Sequence, residues 1–232
     1  MPAACARRPA AAVAPRPSAP VVRLVPLERD PVALAADRRL LHADERAHAD
    51  RATAAVARRR IALRAALRRL TGSFLALPPA AVPLHAGEHG RPELDVEGAD
   101  VACSRSGEHG LVAVAVGCRM GVDVEQIAPW SHDALDEGWL SPAERAALLD
   151  LAPPARALAA TRCWTRKEAV LKGTGSGLTD HLAALEVGVV PGPVVVGDWL
   201  VEDVPAPRGF VASIATSPSH PVEEPPRGRA DR

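Results

Sequence analysis

From residue 31 to 71 apolar side chains recur every three to four positions, the spacing of helices with one buried face. Asp30-Pro31 supplies a cap followed by a proline that fits the first helical turn. The pattern predicts two helices divided near His42–Glu45, the second stopping at Gly72. Ile61, Leu63, Ala66, Leu67 and Leu70 form its apolar stripe, with Arg58, Arg59, Arg60, Arg64, Arg68 and Arg69 around it. That arginine cluster reads either as a solvated helix face or as a phosphate-facing patch. After Pro78 the period shortens to two. Strands are expected at Asp100–Cys103, Leu111–Val116 and Met120–Glu125, with Gly107 to Gly110 turning between the first two. Ser141-Pro-Ala-Glu144 is a capping box and opens a helix through Leu149. Pro153-Pro154 opens a longer helix that passes through Trp164–Lys172 and stops at Gly173. Residues 184–190, 193–202 and 208–215 read as three further strands.

The order helices, strands, helices, strands predicts an α+β fold of two similar halves, 21–117 and 118–216. Residues 1–20 hold five prolines and no acid, and read as a disordered extension. Residues 217–232 read as a disordered tail.

Composition narrows the function. The 232 residues are 47% hydrophobic and 24% charged, ordinary for a globular chain. No window is apolar for long enough to span a bilayer, so no membrane role is expected. With 28 basic and 28 acidic residues the chain lacks the basic excess of a nucleic-acid binder. Cys5, Cys103, Cys118 and Cys163 form no C-x-x-C pair, which points to free thiols and a cytoplasmic location. All basic residues are Arg except Lys167 and Lys172. Two lysines five positions apart, in a chain that otherwise uses arginine, suggest chemistry that needs a compact ammonium.

Two segments carry candidate chemistry. On a strand, Asp123 and Glu125 of Gly121-Val-Asp-Val-Glu125 present two carboxylates to one side while Val122 and Val124 face the core. A divalent cation with hard oxygen ligands, Mg²⁺ or Mn²⁺, would remove their repulsion. On the helix containing Trp164-Thr-Arg-Lys-Glu-Ala-Val-Leu-Lys172, the residues Trp164, Glu168 and Lys172 share a face. Glu168 could be a third metal ligand or a base. Lys172 could pair with Glu168 or contact a phosphate.

Together, Gly121-Val-Asp-Val-Glu125 and, 41 residues beyond Asp123, a Trp-x-x-Lys-Glu-Ala-x-x-Lys stretch resemble the 4′-phosphopantetheinyl transferases. The length is similar to the larger monomeric type that activates polyketide and nonribosomal peptide synthetases. The resemblance covers roughly residues 25–215. It implies that Asp123, Glu125 and Glu168 hold Mg²⁺ and that Lys167 and Lys172 are the basic pair of the helix, Lys172 touching the phosphates of coenzyme A. Gly90-Arg91-Pro92 resembles a Gly-Lys-Pro turn whose basic residue holds the nucleotide end. Cys103-Ser104-Arg105-Ser106-Gly107 resembles a Ser-His-Ser-Gly stretch, with Arg105 in place of the histidine that meets the 3′-phosphate. Arg59, or Arg60, falls where the family has a further phosphate contact. The implied activity is Mg²⁺-dependent transfer of the 4′-phosphopantetheine arm of coenzyme A to a serine of an apo acyl or peptidyl carrier protein, releasing 3′,5′-ADP. The resemblance also implies a monomer. In that reaction Glu168 and Lys172 are the catalytic pair, and Arg59, Arg91, Ser104, Arg105, Lys167 and Lys172 bind the coenzyme.

Other signals carry no chemistry. Gly173-Thr-Gly-Ser-Gly177 follows a helix instead of preceding one, so it reads as a stop and not a phosphate loop. His85, His89 and His109 lack zinc-ligand spacing. Trp130, Trp139 and Trp199 read as packing residues. Three rivals stay open: an inactive coenzyme A-binding relative, another Mg²⁺-dependent phosphoryl-transfer enzyme, and a nucleic-acid or protein-binding module built on the arginine helix, residues 51–69.

Overall fold

The structure, a computed structural model, describes residues 18–87, 90–175 and 182–218. Strand β1 spans Ser18–Pro26, and three helices follow: α1 (Pro31–Leu40), α2 (Ala43–Asp50) and α3 (Ala54–Leu75). Short strands β2 (Leu84–Ala86) and β3 (Pro92–Leu94) form a hairpin. Then come β4 (Ala99–Ser106), β5 (His109–Val116) and β6 (Cys118–Gln126). Three helices follow: α4 (His132–Leu135), α5 (Pro142–Leu149) and α6 (Pro153–Thr174). The chain ends in β7 (Val194–Val196), β8 (Trp199–Val204) and β9 (Phe210–Pro218).

The fold is α+β. One antiparallel sheet has the order β1-β5-β4, the other the order β6-β9-β8-β7. Strand alternation sets the layers. Val112 and Val114 of β5 pack with Leu63 and Leu67 of α3. Leu111, Ala113 and Ala115 turn the other way and join Met120, Val122 and Val124 of β6 and Ala212 and Ile214 of β9. Opposite that shared core, β6 presents Gly121, Asp123 and Glu125 toward α6. Ala169 and Val170 of α6 pack with Val201 and Ala215. No helix among the described residues is long and apolar enough to cross a membrane.

Several local readings hold. Asp30 caps α1, accepting from the Ala33 amide at 2.8 Å. The capping box of α5 forms, Glu144 amide to Ser141 Oγ at 3.1 Å and Ser141 amide to Glu144 Oε2 at 3.0 Å. Trp130, Trp139 and Trp164 pack ring against ring, with centroids 5.0–5.9 Å apart.

Other readings are corrected. The segment 31–71 holds three helices, because the chain breaks at both Leu41–His42 and Arg51–Thr53. Gly72 does not end α3, which runs on to Leu75 and is capped by Ala76 in the left-handed region (φ 55°). Gly72 lets the chain fold back over the helix, since a Cβ there would lie 2.7 Å from the Leu77 carbonyl oxygen. Helix α6 passes Gly173 and ends at Thr174 with Gly175 as its left-handed cap (φ 75°). Strand β1 begins at Ser18, inside the stretch read as an extension. It is an edge strand, where its prolines remove no required ladder bond. Residues 193–202 are a hairpin of two strands, and 184–190 is not a strand. The rest of the extension (1–17) and of the tail (219–232), and the end of the glycine stretch after Gly175, lie outside the described residues.

Helix α6 lies on β6 at backbone distance. A Cβ on Gly121 would fall 2.0 Å from the Ala169 carbonyl oxygen and 2.4 Å from the Gly173 nitrogen. Gly121→Ala therefore has to push α6 off the sheet. It is expected to cost about 1–3 kcal/mol or more, seen as a lowered midpoint in chemical denaturation.

Candidate active site

The shared surface of β4, β6 and α6 brings the predicted carboxylates together. Asp123 is fully buried on β6, and Glu125 stands two residues on, on the same side of the strand. Glu168 and Lys172 project from α6 one turn apart. The Lys172 ammonium donates to Asp123 Oδ1 at 2.5 Å and to Ser104 Oγ at 3.0 Å, and stands 3.8 Å from Glu168 Oε2. Ser104 in turn donates to Asp123 Oδ1 at 2.7 Å.

Strand β4 supports both acids. Ser106 donates to Glu125 Oε2 at 2.7 Å and accepts from the Gln126 amide at 3.1 Å. Asp100 accepts from the Met120 amide at 2.8 Å and from Arg91 Nη2 at 2.8 and 2.9 Å. The sequence motifs include Ser106 without a role and leave Asp100 out. The signal was present: the Ser-x-Ser spacing of β4 mirrors the Asp-x-Glu spacing of β6.

The electrostatics favour a cation. Burial pushes the Glu125 carboxyl up, aided by the charges of Asp123 and Glu168 and opposed by Ser106 and Lys172. Burial likewise raises Glu168, with Asp123 adding to it and Lys172 opposing. For Lys172, burial works to lower the ammonium, but Asp123 and Glu168 outweigh it and the net direction is up. Three carboxylates face one ammonium, and Asp123 Oδ2 is a buried acceptor with no hydrogen bond. Among the described residues no three acid, histidine or cysteine side chains already converge on a single point. The donor chemistry, all hard oxygen with one orphaned acceptor, nonetheless fits a divalent cation such as Mg²⁺.

The remaining predicted residues fall into different places. Arg105 is exposed beside Ser104 and holds no ion pair among the described residues. Arg91 is mostly buried, its Nη2 bonded to Asp100 and to the Met120 carbonyl, while its Nε is buried without a partner. Arg59 pairs with Glu28 at 3.0 Å and does not reach the carboxylates by hydrogen bond. Lys167 requires correction. Its ammonium is buried on another side of α6, donating to Glu144 Oε2 at 2.7 Å and to the Leu182 and Leu185 carbonyls at 2.9 and 2.7 Å. All three of its donors are spent, so it holds the protein together and has none left for a coenzyme.

The arginines of α3 are also mostly engaged. Arg64 and Arg68 meet Glu45, Arg69 meets Asp37, Arg59 meets Glu28 and Arg60 donates to the His48 carbonyl. They are neither a free solvated face nor an open polyanion surface. Cys103, Cys118 and Cys163 are free thiols, and burial pushes the Cys163 thiol up. His109 packs edge-on to Phe210, and His85 pairs with Glu93. His89 lies outside the described residues.

An α+β fold with acids on an edge strand and a Glu-x-x-x-Lys helix against it has the donor chemistry of a metal-assisted phosphoryl-transfer site. Comparison with known proteins points in the same direction. Residues 119–207 match the family model of the 4′-phosphopantetheinyl transferase superfamily. The chain is 32% identical over 157 residues to the 4′-phosphopantetheinyl transferase HetI of Nostoc sp., covering 65% of this chain and 66% of that protein. It is also 32% identical over 126 residues to slr0495 of Synechocystis sp., named as a candidate 4′-phosphopantetheinyl transferase, covering 53% of this chain and 51% of that protein. The chain thus spans just under two thirds of one relative and about half of the other. What the chain is similar to, over its C-terminal half above all, is the 4′-phosphopantetheinyl transferase superfamily.

The reassignment of Lys167 is testable. Lys167→Met strands the buried Glu144 charge and is expected to cost about 3–5 kcal/mol of stability, read by chemical denaturation. Coenzyme A affinity of the folded protein, by calorimetry, should stay within about twofold of wild type.

Proposed function

We propose that this protein transfers the 4′-phosphopantetheine arm of coenzyme A to a serine of an apo acyl or peptidyl carrier protein, with release of 3′,5′-ADP. The observation that carries the reading is the meeting of Lys172 with Asp123 and Glu168, with Glu125 two residues along the same strand, in a chain similar to this superfamily. Asp123, Glu125 and Glu168 would hold Mg²⁺. When bound, Mg²⁺ supplies charge neutralisation to the pyrophosphate of the coenzyme.

The protein's own residues divide the rest of the work. Lys172 turns from the carboxylates toward the pyrophosphate, where a mobile ammonium offsets charge on the departing phosphate. Arg105, exposed beside Ser104, binds the 3′-phosphate through two parallel hydrogen bonds. Arg91 and, more distantly, Arg59 complete the nucleotide end, each releasing an internal carboxylate in part. Glu168 accepts the proton of the carrier serine, directly or through a water. The serine oxygen then bonds to the β-phosphorus, the one bearing pantetheine. The bond from that phosphorus to the bridging oxygen breaks, and the electron pair leaves with 3′,5′-ADP. Ser104 and Ser106 keep Asp123 and Glu125 oriented throughout. The partners are a carrier protein and coenzyme A, and the free thiols suit a cytoplasmic setting.

An intact-mass assay with apo carrier protein, coenzyme A and Mg²⁺ tests this. Wild type should add one phosphopantetheine arm, and a chelator should abolish the addition. Asp123→Ala and Glu168→Gln should each lower the rate by about a hundredfold or more. Ser106→Ala, which removes the support of Glu125 and the acceptor of the Gln126 amide, should cost about 10–100-fold. Absence of both transfer and coenzyme A binding in the wild type would overturn the reading.

A further inference from the structure

On the opposite side of the first sheet, α3 and β1 do not close against each other. They leave a cavity of about 350 Å³, within the range of small-molecule sites. Its floor is apolar, formed by Val25, Ala62, Ala66, Leu70 and Val112. Ala62 and Ala66 sit one turn apart on α3, where a larger side chain at either would fill the space. Because β1 is the far edge of the sheet from β4, the cavity is separate from Asp123 and Ser104.

Its rim is not apolar. Arg23, Arg29 and Arg69 line it. Behind them Asp37, 1% exposed, accepts from Arg29 Nε at 2.9 Å and from Arg69 Nη2 at 2.5 Å. One buried carboxylate therefore fixes the direction of two guanidiniums, as orienting partners do in built sites. Arg23 donates only to the adjacent Val22 carbonyl and has no carboxylate among the described residues. Three guanidiniums meet one acid, so the rim keeps an excess of positive charge in a chain whose acids and bases balance. A packing defect would need no cations, and a plain surface ion pair would need no apolar floor.

We propose that this cavity binds a small amphiphilic anion: an oxyanion headgroup, carboxylate or phosphate, held by Arg23, Arg29 and Arg69, on an apolar body laid along Ala62, Ala66 and Leu70. Guanidiniums grip either headgroup through paired hydrogen bonds, and the floor excludes water from the chain. The site is distinct from the coenzyme region and stands whether or not the proposed transfer is correct.

The test is calorimetric titration of the full chain with octanoate, octyl phosphate and octanol. Saturable binding of at least one anion, about tenfold or more tighter than octanol, is expected. The tighter of the two anions identifies the headgroup. Arg23→Gln and Arg69→Gln should each weaken that anion about fivefold or more, and Ala66→Phe should block it. Arg23 bears no ion pair, so its variant keeps the test valid if Arg69→Gln disturbs folding. Carrier modification should be unchanged in Arg23→Gln. Octanol binding as tightly as the anions, an unchanged affinity in Arg23→Gln, or no binding of either anion would each overturn the proposal.

Discussion

The contact between β6 and α6 at Gly121 governs the site. Helices ordinarily pack on sheets about 10 Å away, through layers of side chains. Here one strand residue has none, and the backbone of α6 at Ala169 and Gly173 fills the space a methyl group would take. Gly173 is itself pinned from the other side, since a Cβ there would meet the Trp199 ring at 2.4 Å. With the helix this low, side chains near the contact need little reach. Lys172, one residue before Gly173, meets Asp123, two residues past Gly121. Glu168, one turn earlier, comes to the same patch. Both glycines thus act as spacers of zero thickness, and the carboxylate cluster is their consequence.

Burying those carboxylates is unfavourable, and the surrounding bonds show how the cost is offset. Asp123 has two cationic or hydroxyl donors on one oxygen and nothing on the other. Glu125 has Ser106. Asp123 is thus held only partly satisfied, which leaves an acceptor for the cation proposed above. Lys167 and Glu144 make the opposite arrangement five residues earlier on α6. Three acceptors surround the ammonium at 2.7–2.9 Å, matching its three donors. Glu144 is also filled, by the Ser141, Val187 and Gly188 amides. A planar guanidinium would not fit that compact, three-sided pocket, which gives a reason for lysine in a chain that prefers arginine. Five residues on a helix turn the second lysine to another face, so the same residue type serves structure at 167 and the site at 172.

This explains what could be read from the sequence and what could not. Features carried by local spacing were legible: the Asp-x-Glu strand, the Glu-x-x-x-Lys helix face, the capping box of α5 and the strands β4 to β6. What depended on distant partners was not. Residues 184–190 have a strand's apolar composition, yet no sheet partner satisfies them. Arg166 donates to the Val187 and Gly192 carbonyls, Lys167 to Leu182 and Leu185, and Glu144 accepts the Val187 and Gly188 amides. Side chains from α5 and α6 do the work of a ladder, and no local period records that. Strand β1 was hidden by its prolines, which only its edge position permits. Lys167 is placed in the coenzyme site by the family resemblance alone, and no local spacing records that its side chain points to Glu144.

The seam between the two sheets explains why the site lies where it does. Both β4 and β6 are edge strands, and an open edge leaves amides and carbonyls without partners. Backbone pairing would have closed it into one continuous sheet. Side chains close it instead: Asp100 to the Met120 amide, Ser104 to Asp123, Ser106 to Glu125 and the Gln126 amide. A seam made of side chains can part or tighten around a ligand where a ladder could not. Its acids come from one sheet, their hydroxyl partners from the other, and the ammonium from the helix above. The separation of the sheets therefore makes room for the side chains of the proposed site, and the serines that bridge it hold its carboxylates in place.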